Sequence, residues 1–90
     1  MYALRPTMDP AAQCIRDKLW YGILPNVTPV ETWGGHGTGH KLCDGCDATI
    51  ALKEAEREIE IEGGRTLTFH VKCASLWQVL REALPNKRQR

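Results

Sequence analysis

The chain has 90 residues, and its 12 Lys and Arg nearly balance its 11 Asp and Glu, which leaves a net charge of +1. Such a balance argues against a strong overall field that would draw the protein to nucleic acid or anionic lipid. The sequence has no apolar run of roughly 18 residues, the length of a membrane span. Residues 1–10 also lack the basic start and apolar stretch of a secretion signal. We therefore expect a single small cytoplasmic domain with no membrane partner.

The N-terminal part predicts a flexible lead-in over residues 1–8 and a helix over residues 9–22. Asp9 is a favourable N-cap, and Pro10 suits the first helical position, where an N–H group has no helical partner. Gly22 can adopt the left-handed conformation that ends many helices. Cys14 in this helix is expected to be a small buried side chain, with a redox-active or dimer-forming thiol as the alternative.

Residues 23–42 are predicted to form a loop, because the segment contains two prolines and four glycines: Pro25, Pro29, Gly34, Gly35, Gly37 and Gly39. A loop this long is unusual in a small domain, so Trp33 is expected to anchor it on the core. His36 and His40 are interpreted as solvent-exposed loop histidines, with an additional metal ligand as the alternative.

A β-hairpin is predicted over residues 56–70, because polar and apolar residues alternate on both sides of Gly63-Gly64. A three-residue loop of Gly63, Gly64 and Arg65 would place every apolar side chain on one face of the hairpin. In that register Ile61 pairs with Leu67 and Ile59 pairs with Phe69. The alternating glutamates, which are Glu56, Glu58, Glu60 and Glu62, would then lie on the solvent face.

The C-terminal part predicts a helix over residues 72–84, ended by Pro85 and followed by a basic tail over residues 86–90. Its apolar stripe is formed by Leu76, Trp77, Leu80 and Leu84. The fold class is therefore α+β, with an N-terminal helix, a turn at residues 43–47, a hairpin and a C-terminal helix.

Two pairs of residues carry the clearest chemical signal: Cys43 with Cys46, and His70 with Cys73. Two-residue spacing lets one tight turn direct both side chains of a pair toward a single point. Two such turns supply the four sulfur and nitrogen ligands of a closed tetrahedral zinc site. We expect one structural Zn²⁺ and no catalytic residues, because four protein ligands leave no open position for a substrate. Unliganded core cysteines and a dithiol redox pair at Cys43 and Cys46 are the alternatives.

Neighbouring residues are expected to support these ligands. The N–H groups of Gly45 and Cys46 can point at the Cys43 sulfur, and a helix N-terminus at Cys73 would lower the pKa of its thiol. The second ring nitrogen of His70 needs an acceptor, for which Asp44 and Asp47 are the candidates.

The order of zinc knuckle, hairpin and ligand pair at a strand-to-helix junction resembles a treble-clef zinc finger. The ligand series from Cys43 to Cys73 is similar to the first half of a LIM domain, although the chain has no second zinc module. The segment from Trp33 to Trp77 also resembles small uncharacterised bacterial zinc-binding proteins. The resemblance implies a structural zinc rather than an activity.

The leading functional prediction is a non-enzymatic protein-interaction or regulatory module. Its partner would be another protein that contacts exposed aromatic residues, for which Trp20, Tyr21 and Trp33 are the candidates. The alternative is a nucleic-acid-binding zinc finger that uses Lys72, Arg81, Lys87, Arg88 and Arg90. An enzyme is a third hypothesis, in which His36, His40 and Asp47 would act as in some treble-clef nucleases, but the sequence places no general base and nucleophile beside an open metal.

Overall fold

The computed structural model describes residues 9–83, so the predicted lead-in, Leu84 and the predicted basic tail lie outside the described residues. The elements in chain order are α1 (Pro10–Trp20), β1 (Glu31–His36), β2 (Ala55–Glu60), β3 (Thr66–His70) and α2 (Val71–Ala83). The strands form one antiparallel sheet in the order β1-β2-β3. The α+β fold class is therefore confirmed. Neither helix between residues 9 and 83 has the length and apolar character that crossing a bilayer requires.

Helix α1 begins as its sequence predicts. The Asp9 carboxylate accepts a hydrogen bond from the Ala11 N–H at 2.8 Å, and Pro10 is the first helical residue. The regular helix ends at Trp20, and Gly22 follows it with a φ of +78°. The predicted helix over residues 9–22 is thus about one residue too long at its start and two at its end. Ile15 and Leu19 face the core.

Strand β1 corrects the prediction that residues 23–42 are all loop. Residues Glu31–His36 pair with β2 over six positions, including Gly34 opposite Arg57 and Gly35 opposite Glu56. A backbone ladder needs no side chains, so glycines do not prevent pairing when a neighbouring strand supplies the partner groups. Trp33 lies on this strand with 43% of its surface exposed, so it does not anchor a loop on the core.

The hairpin between β2 and β3 has the predicted odd-numbered loop but a different register. Ile59 pairs with Leu67, and the Ile61 N–H donates to the Arg65 carbonyl at 2.9 Å. The loop is therefore Glu62-Gly63-Gly64, one residue earlier than predicted, with both glycines at positive φ. Either loop places the same side chains on the core face. Accordingly, the apolar residues of the hairpin are all buried: Ile59, Ile61, Leu67 and Phe69.

Glu56 is an exception to the predicted solvent face of the hairpin. It is buried with 5% of its surface exposed, whereas Glu58 is only half-buried. β1 extends the sheet beside Glu56. The Glu56 Oε2 lies 3.8 Å from the Lys41 Nζ. Gly35 lies opposite and has no side chain to displace the carboxylate. The sequence pattern assigned Glu56 to solvent because the prediction contained only the two strands of the hairpin and not β1.

The hydrophobic core lies between the two helices and one face of β2 and β3. Trp77 of α2 is fully buried as predicted, and its ring stacks on Phe69 with a centroid distance of 5.4 Å. Its indole N–H donates to the Pro25 carbonyl at 3.1 Å, which fixes the segment that follows α1. Leu76 and Leu80 pack at the margin of the core. The apolar stripe of α2 therefore holds the helix on the sheet.

Replacing Gly37 with Ala is expected to lower the free energy of unfolding by about 1–3 kcal/mol, the range for overpacked sites. A Cβ at Gly37 would lie 2.8 Å from the Ile50 Cγ2 and closer still to the Ala51 carbonyl oxygen, a backbone atom that cannot move aside. Gly34→Ala is the control, because its Cβ meets only the flexible end of Arg57. Equal midpoints for both variants in urea unfolding would contradict this expectation.

Candidate metal centre

Residues 43–47 form a tight turn that carries the first two ligands. The Asp47 N–H donates to the Cys43 carbonyl, and the Cys43 N–H donates to the Ala48 carbonyl, each at 2.9 Å. Asp47 has a φ of +70°, a left-handed conformation that Asp tolerates better than most residues. A Cβ at Gly45 would lie 3.0 Å from two carbons of Ile15, so a glycine allows the turn to pack on α1.

The turn is attached to the free edge of β3 by two hydrogen bonds with Thr68. The Asp44 N–H donates to the Thr68 carbonyl, and the Thr68 N–H donates to the Asp44 carboxylate, both at 2.7 Å. Because β3 continues directly into α2, this contact also brings the turn next to His70 and Cys73. The strand therefore sets the distance between the two ligand pairs.

The four predicted ligands converge on one point. One ligand atom from each of Cys43, Cys46, His70 and Cys73 lies within 4.8 Å of all the others. His70 Nδ1 is 3.4 Å from the Cys46 sulfur and 3.8 Å from the Cys73 sulfur. A tetrahedral zinc with its usual bond lengths requires about 3.6 Å between such a nitrogen and sulfur. Three thiols and one imidazole are also a preferred zinc donor set. The group therefore fits one zinc ion.

Backbone groups support the Cys43 sulfur from two sides. Of the two predicted donors, Gly45 and Cys46, the Gly45 N–H donates to it at 3.3 Å; the second observed donor is the His70 N–H at 3.5 Å, which was not predicted. Hydrogen bonds of this kind favour the thiolate that binds metal. Cys43 and Cys73 are buried, whereas Cys46 and His70 are half-buried at the edge of the site.

The second ring nitrogen of His70 faces a different acceptor from the two that were predicted. His70 Nε2 lies 3.3 Å from the Thr49 carbonyl oxygen and 3.6 Å from a carboxylate oxygen of Glu54. Asp44 is engaged with Thr68, and Asp47 is engaged with Lys18. With Nδ1 on the metal, Nε2 carries the proton and donates toward Thr49, which fixes the ring orientation. A backbone carbonyl has no sequence signature, so residue patterns could not have identified Thr49.

The environment of Cys73 corrects the prediction that its pKa is lowered. Burial raises the pKa of the Cys73 thiol, and the adjacent Cys43 and Cys46 raise it further. These effects outweigh the start of α2, which offers a partial positive charge. Three sulfur atoms this close cannot all be thiolates without a cation among them. The site therefore requires a metal to be fully ionised.

Lys18 links α1 to the metal turn, a role that sequence reasoning missed. Its Nζ donates to the Asp44 carbonyl at 2.9 Å and to the Asp47 carboxylate at 2.6 Å. Lys18 directly follows Arg16 and Asp17, so its charge gives no signal that specifies a partner. The same helix carries Cys14, which is half-buried rather than buried and lies 4.0 Å from an Asp47 carboxylate oxygen.

The two histidines that were predicted to lie in the loop, His36 and His40, lie outside the group of four metal ligands. His36 is the last residue of β1, and His40 lies in the segment after this strand. Both side chains are exposed. Among the described residues, neither belongs to a group of three or more metal-binding side chains that includes the four ligands. Their predicted alternative as ligands of this site is therefore wrong.

The candidate protein-binding residues lie on two separate elements. Trp20 is 44% exposed and Tyr21 is 73% exposed at the end of α1, whereas Trp33 is on β1. An open cleft of about 380 Å³ is lined by Trp20 and Tyr21 together with Arg16 and Asp17. α1 and β1 do not contact each other.

The candidate nucleic-acid-binding residues lie partly within the described chain. Lys72 forms an ion pair with Asp9, and Arg81 lies over the Trp77 ring at 4.7 Å. Lys87, Arg88 and Arg90 lie outside the described residues. Binding of nucleic acid remains a prediction.

Fold and site together define a small zinc-binding α+β domain. Comparison with protein-family models, curated proteins and solved structures finds no match to this chain. The assignment therefore depends on the convergence of the four ligands, their distances and their donor chemistry.

The affinity for zinc is expected to increase with pH. Zinc binds thiolates, so binding must release thiol protons from the metal-free chain, and burial of Cys73, which raises the pKa of its thiol, opposes ionisation in the absence of the metal charge. Each proton released strengthens binding by about tenfold per pH unit while the group is mostly protonated. Competition with a zinc indicator between about pH 6 and pH 8 measures this effect. Cys14→Ser should follow the same profile, and an affinity independent of pH would contradict the expectation.

Proposed function

We propose that this chain is a non-enzymatic interaction module in which zinc holds the fold and another protein binds an aromatic surface. The order of metal turn, hairpin β2-β3 and helix α2 supports a treble-clef-like arrangement. All four ligands come from the protein and surround one point, so the proposed metal has no position for a substrate. The metal is thus assigned a structural role.

The observation that carries the proposed function is the exposed end of α1. Trp20, Tyr21 and Ile23 expose 44%, 73% and 61% of their surfaces within four consecutive residues. Aromatic side chains of this kind are enriched at protein interfaces and often dominate binding energy. We name Trp20, Tyr21 and Ile23 the α1 aromatic surface.

The metal site has a direct physical connection to this surface. Lys18 lies in the last turn of α1 and bonds to the metal turn at both Asp44 and Asp47. Ile15 of the same helix packs over Gly45. Zinc binding would therefore order the end of α1 and with it the side chains that contact the partner. Regulation by metal supply would follow from this connection.

Site-specific photo-crosslinking in cells of the native source tests the proposal. A photoreactive phenylalanine analogue replaces Tyr21 in one variant and Leu52 in the control, because Leu52 is similarly exposed at 67% and distant in sequence. The expected result is a discrete protein adduct at position 21 that is missing at position 52. Adducts with RNA or DNA, or equal adducts at both positions, would contradict a protein-binding role for this surface.

A further inference from the structure

Strand β1 has an unpaired outer edge. Among residues 9–83, it contacts β2 but neither helix, and its only strand neighbour is β2. The Gly37 N–H donates to the Glu54 carbonyl at 2.7 Å. In an antiparallel ladder every second residue bonds to the neighbouring strand, so this bond shows which residues of β1 face β2. Odd-numbered residues of β1 therefore bond to β2, and Thr32, Gly34 and His36 direct their backbone groups away from the sheet.

This edge lacks the usual protection against pairing. Natural edge strands are commonly blocked by Lys, by Pro, by covering elements or by very short length. β1 has six residues, Glu-Thr-Trp-Gly-Gly-His, with no Lys or Pro. Five of the six residues are exposed. The outward backbone groups have no bonding partner elsewhere in residues 9–83. An additional strand can therefore extend the sheet without displacing anything.

The sequence of β1 is complementary to itself in antiparallel orientation. If Gly34 of two copies lie opposite each other, the outward residues of one strand meet the outward residues of the other, with Thr32 opposite His36. Trp33 then lies opposite Gly35 of the second copy. Because glycine has no side chain, the indole can cover the neighbouring backbone, an arrangement that stabilises strands at glycine positions. The arrangement repeats twice across a twofold axis, as an isologous interface requires.

Charge is compatible with the same register. Glu31 lies opposite Gly37 of the second copy, so the only carboxylate of β1 does not meet another carboxylate across the interface. A strand from another protein would need a small residue opposite Trp33 and neighbouring residues that leave room for the Trp33 ring. The second copy supplies both with no further requirement.

We propose that β1 pairs with β1 of a second copy of this chain to form a continuous six-stranded antiparallel sheet. The inference goes beyond the proposed function, because it assigns a partner to Trp33, which was grouped from the sequence with the protein-binding candidates. It uses a different surface from the α1 aromatic surface, so either proposal can fail alone.

Sedimentation velocity of the zinc-loaded full chain tests this proposal. The wild type is expected to sediment as a dimer, at twice the chain mass of 10.1 kDa, at micromolar to high-micromolar concentration. Thr32→Pro removes an outward N–H without removing a bond to β2, and it should weaken dimerisation by at least about tenfold. Trp33→Lys, a second variant at an exposed position, should weaken it similarly. Tyr21→Ala is the control and should leave the dimer unchanged.

Amide hydrogen exchange locates the contact. The Gly34 and His36 amides should exchange slowly in the wild type and at least about tenfold faster in Trp33→Lys at the same protein concentration. The proposal would be overturned if the wild type is monomeric at all concentrations, even if it binds other proteins. A dimer unaffected by both Thr32→Pro and Trp33→Lys would also overturn it. If Tyr21 crosslinks fail while this dimer persists, only the proposed function fails.

Discussion

Replacing Cys43 with Ser is expected to abolish the cooperative unfolding transition of the chain. The sulfur of Cys43 is fully buried, accepts hydrogen bonds from Gly45 and His70, and belongs to the four-ligand group. Structural zinc contributes about 10–16 kcal/mol of apparent binding energy at neutral pH in small zinc domains. Total stability of a domain is only about 5–15 kcal/mol. Loss of one ligand therefore removes most of the free energy that keeps this chain folded.

The remaining ligands should behave in the same way, and chelation should reproduce their effect. Cys46→Ser, Cys73→Ser and His70→Ala are each expected to lose native near-ultraviolet circular dichroism, because their ligand atoms share the site with Cys43. Cys14→Ser is the matched control, since its sulfur lies outside the group. Native spectra for all four ligand variants after treatment with a strong chelator would contradict a structural role for zinc.

Replacing Trp77 with Ala is expected to lower the free energy of unfolding by about 3–5 kcal/mol, the range for buried large aromatics. The side chain is fully buried, stacks on Phe69 and donates to the Pro25 carbonyl. The substitution leaves a cavity between α2 and the sheet and releases the segment after α1. It also removes the ring beneath Arg81.

Urea unfolding of the zinc-loaded protein measures this loss. Tyr21→Ala is the control because Tyr21 is mostly exposed, and exposed substitutions usually change stability by no more than about 0.5 kcal/mol. Trp77→Phe should lie between the two, because it keeps a ring over Phe69 but lacks the donor to Pro25. Similar unfolding midpoints for Trp77→Ala and Tyr21→Ala would show that the core does not depend on this residue.

The metal site was predictable from sequence because its information is local. Two ligands two residues apart need only a turn, and the sequence Cys43-Asp44-Gly45-Cys46 supplies one. The position of His70 and Cys73 followed from a strand and a helix that meet without a linker. The pairing of Asp44 with Thr68, which joins the two halves, had no such signal because the residues are distant in sequence and Thr68 contributes only backbone groups.

Strand β1 was missed because local preference and long-range pairing disagree. Gly34, Gly35 and Gly37 each disfavour a strand by themselves, and the glycine content predicted a loop. Val30 and Thr32 are β-branched and Trp33 is aromatic, which is the composition of a strand. In the folded chain, β2 supplies the backbone hydrogen-bonding partner that β1 needs. The burial of Glu56 was missed for the same reason, since β1 lies beside it.

The hairpin register illustrates a different limit. A loop of Glu62-Gly63-Gly64 and a loop of Gly63-Gly64-Arg65 both place Ile59, Ile61, Leu67 and Phe69 on one face. Burial of apolar side chains therefore could not distinguish them. The positive φ angles of Gly63 and Gly64 suit the earlier loop, with the Ile61 N–H closing it on Arg65.

Elemental analysis of the freshly purified, untreated chain tests the central claim most directly. We expect about one zinc per chain, bound by Cys43, Cys46, His70 and Cys73, and retained through gel filtration in metal-free buffer. The Cys14→Ser variant should retain the same amount, and Cys73→Ser should lose it. A folded wild-type chain that contains no zinc or other metal would contradict the account.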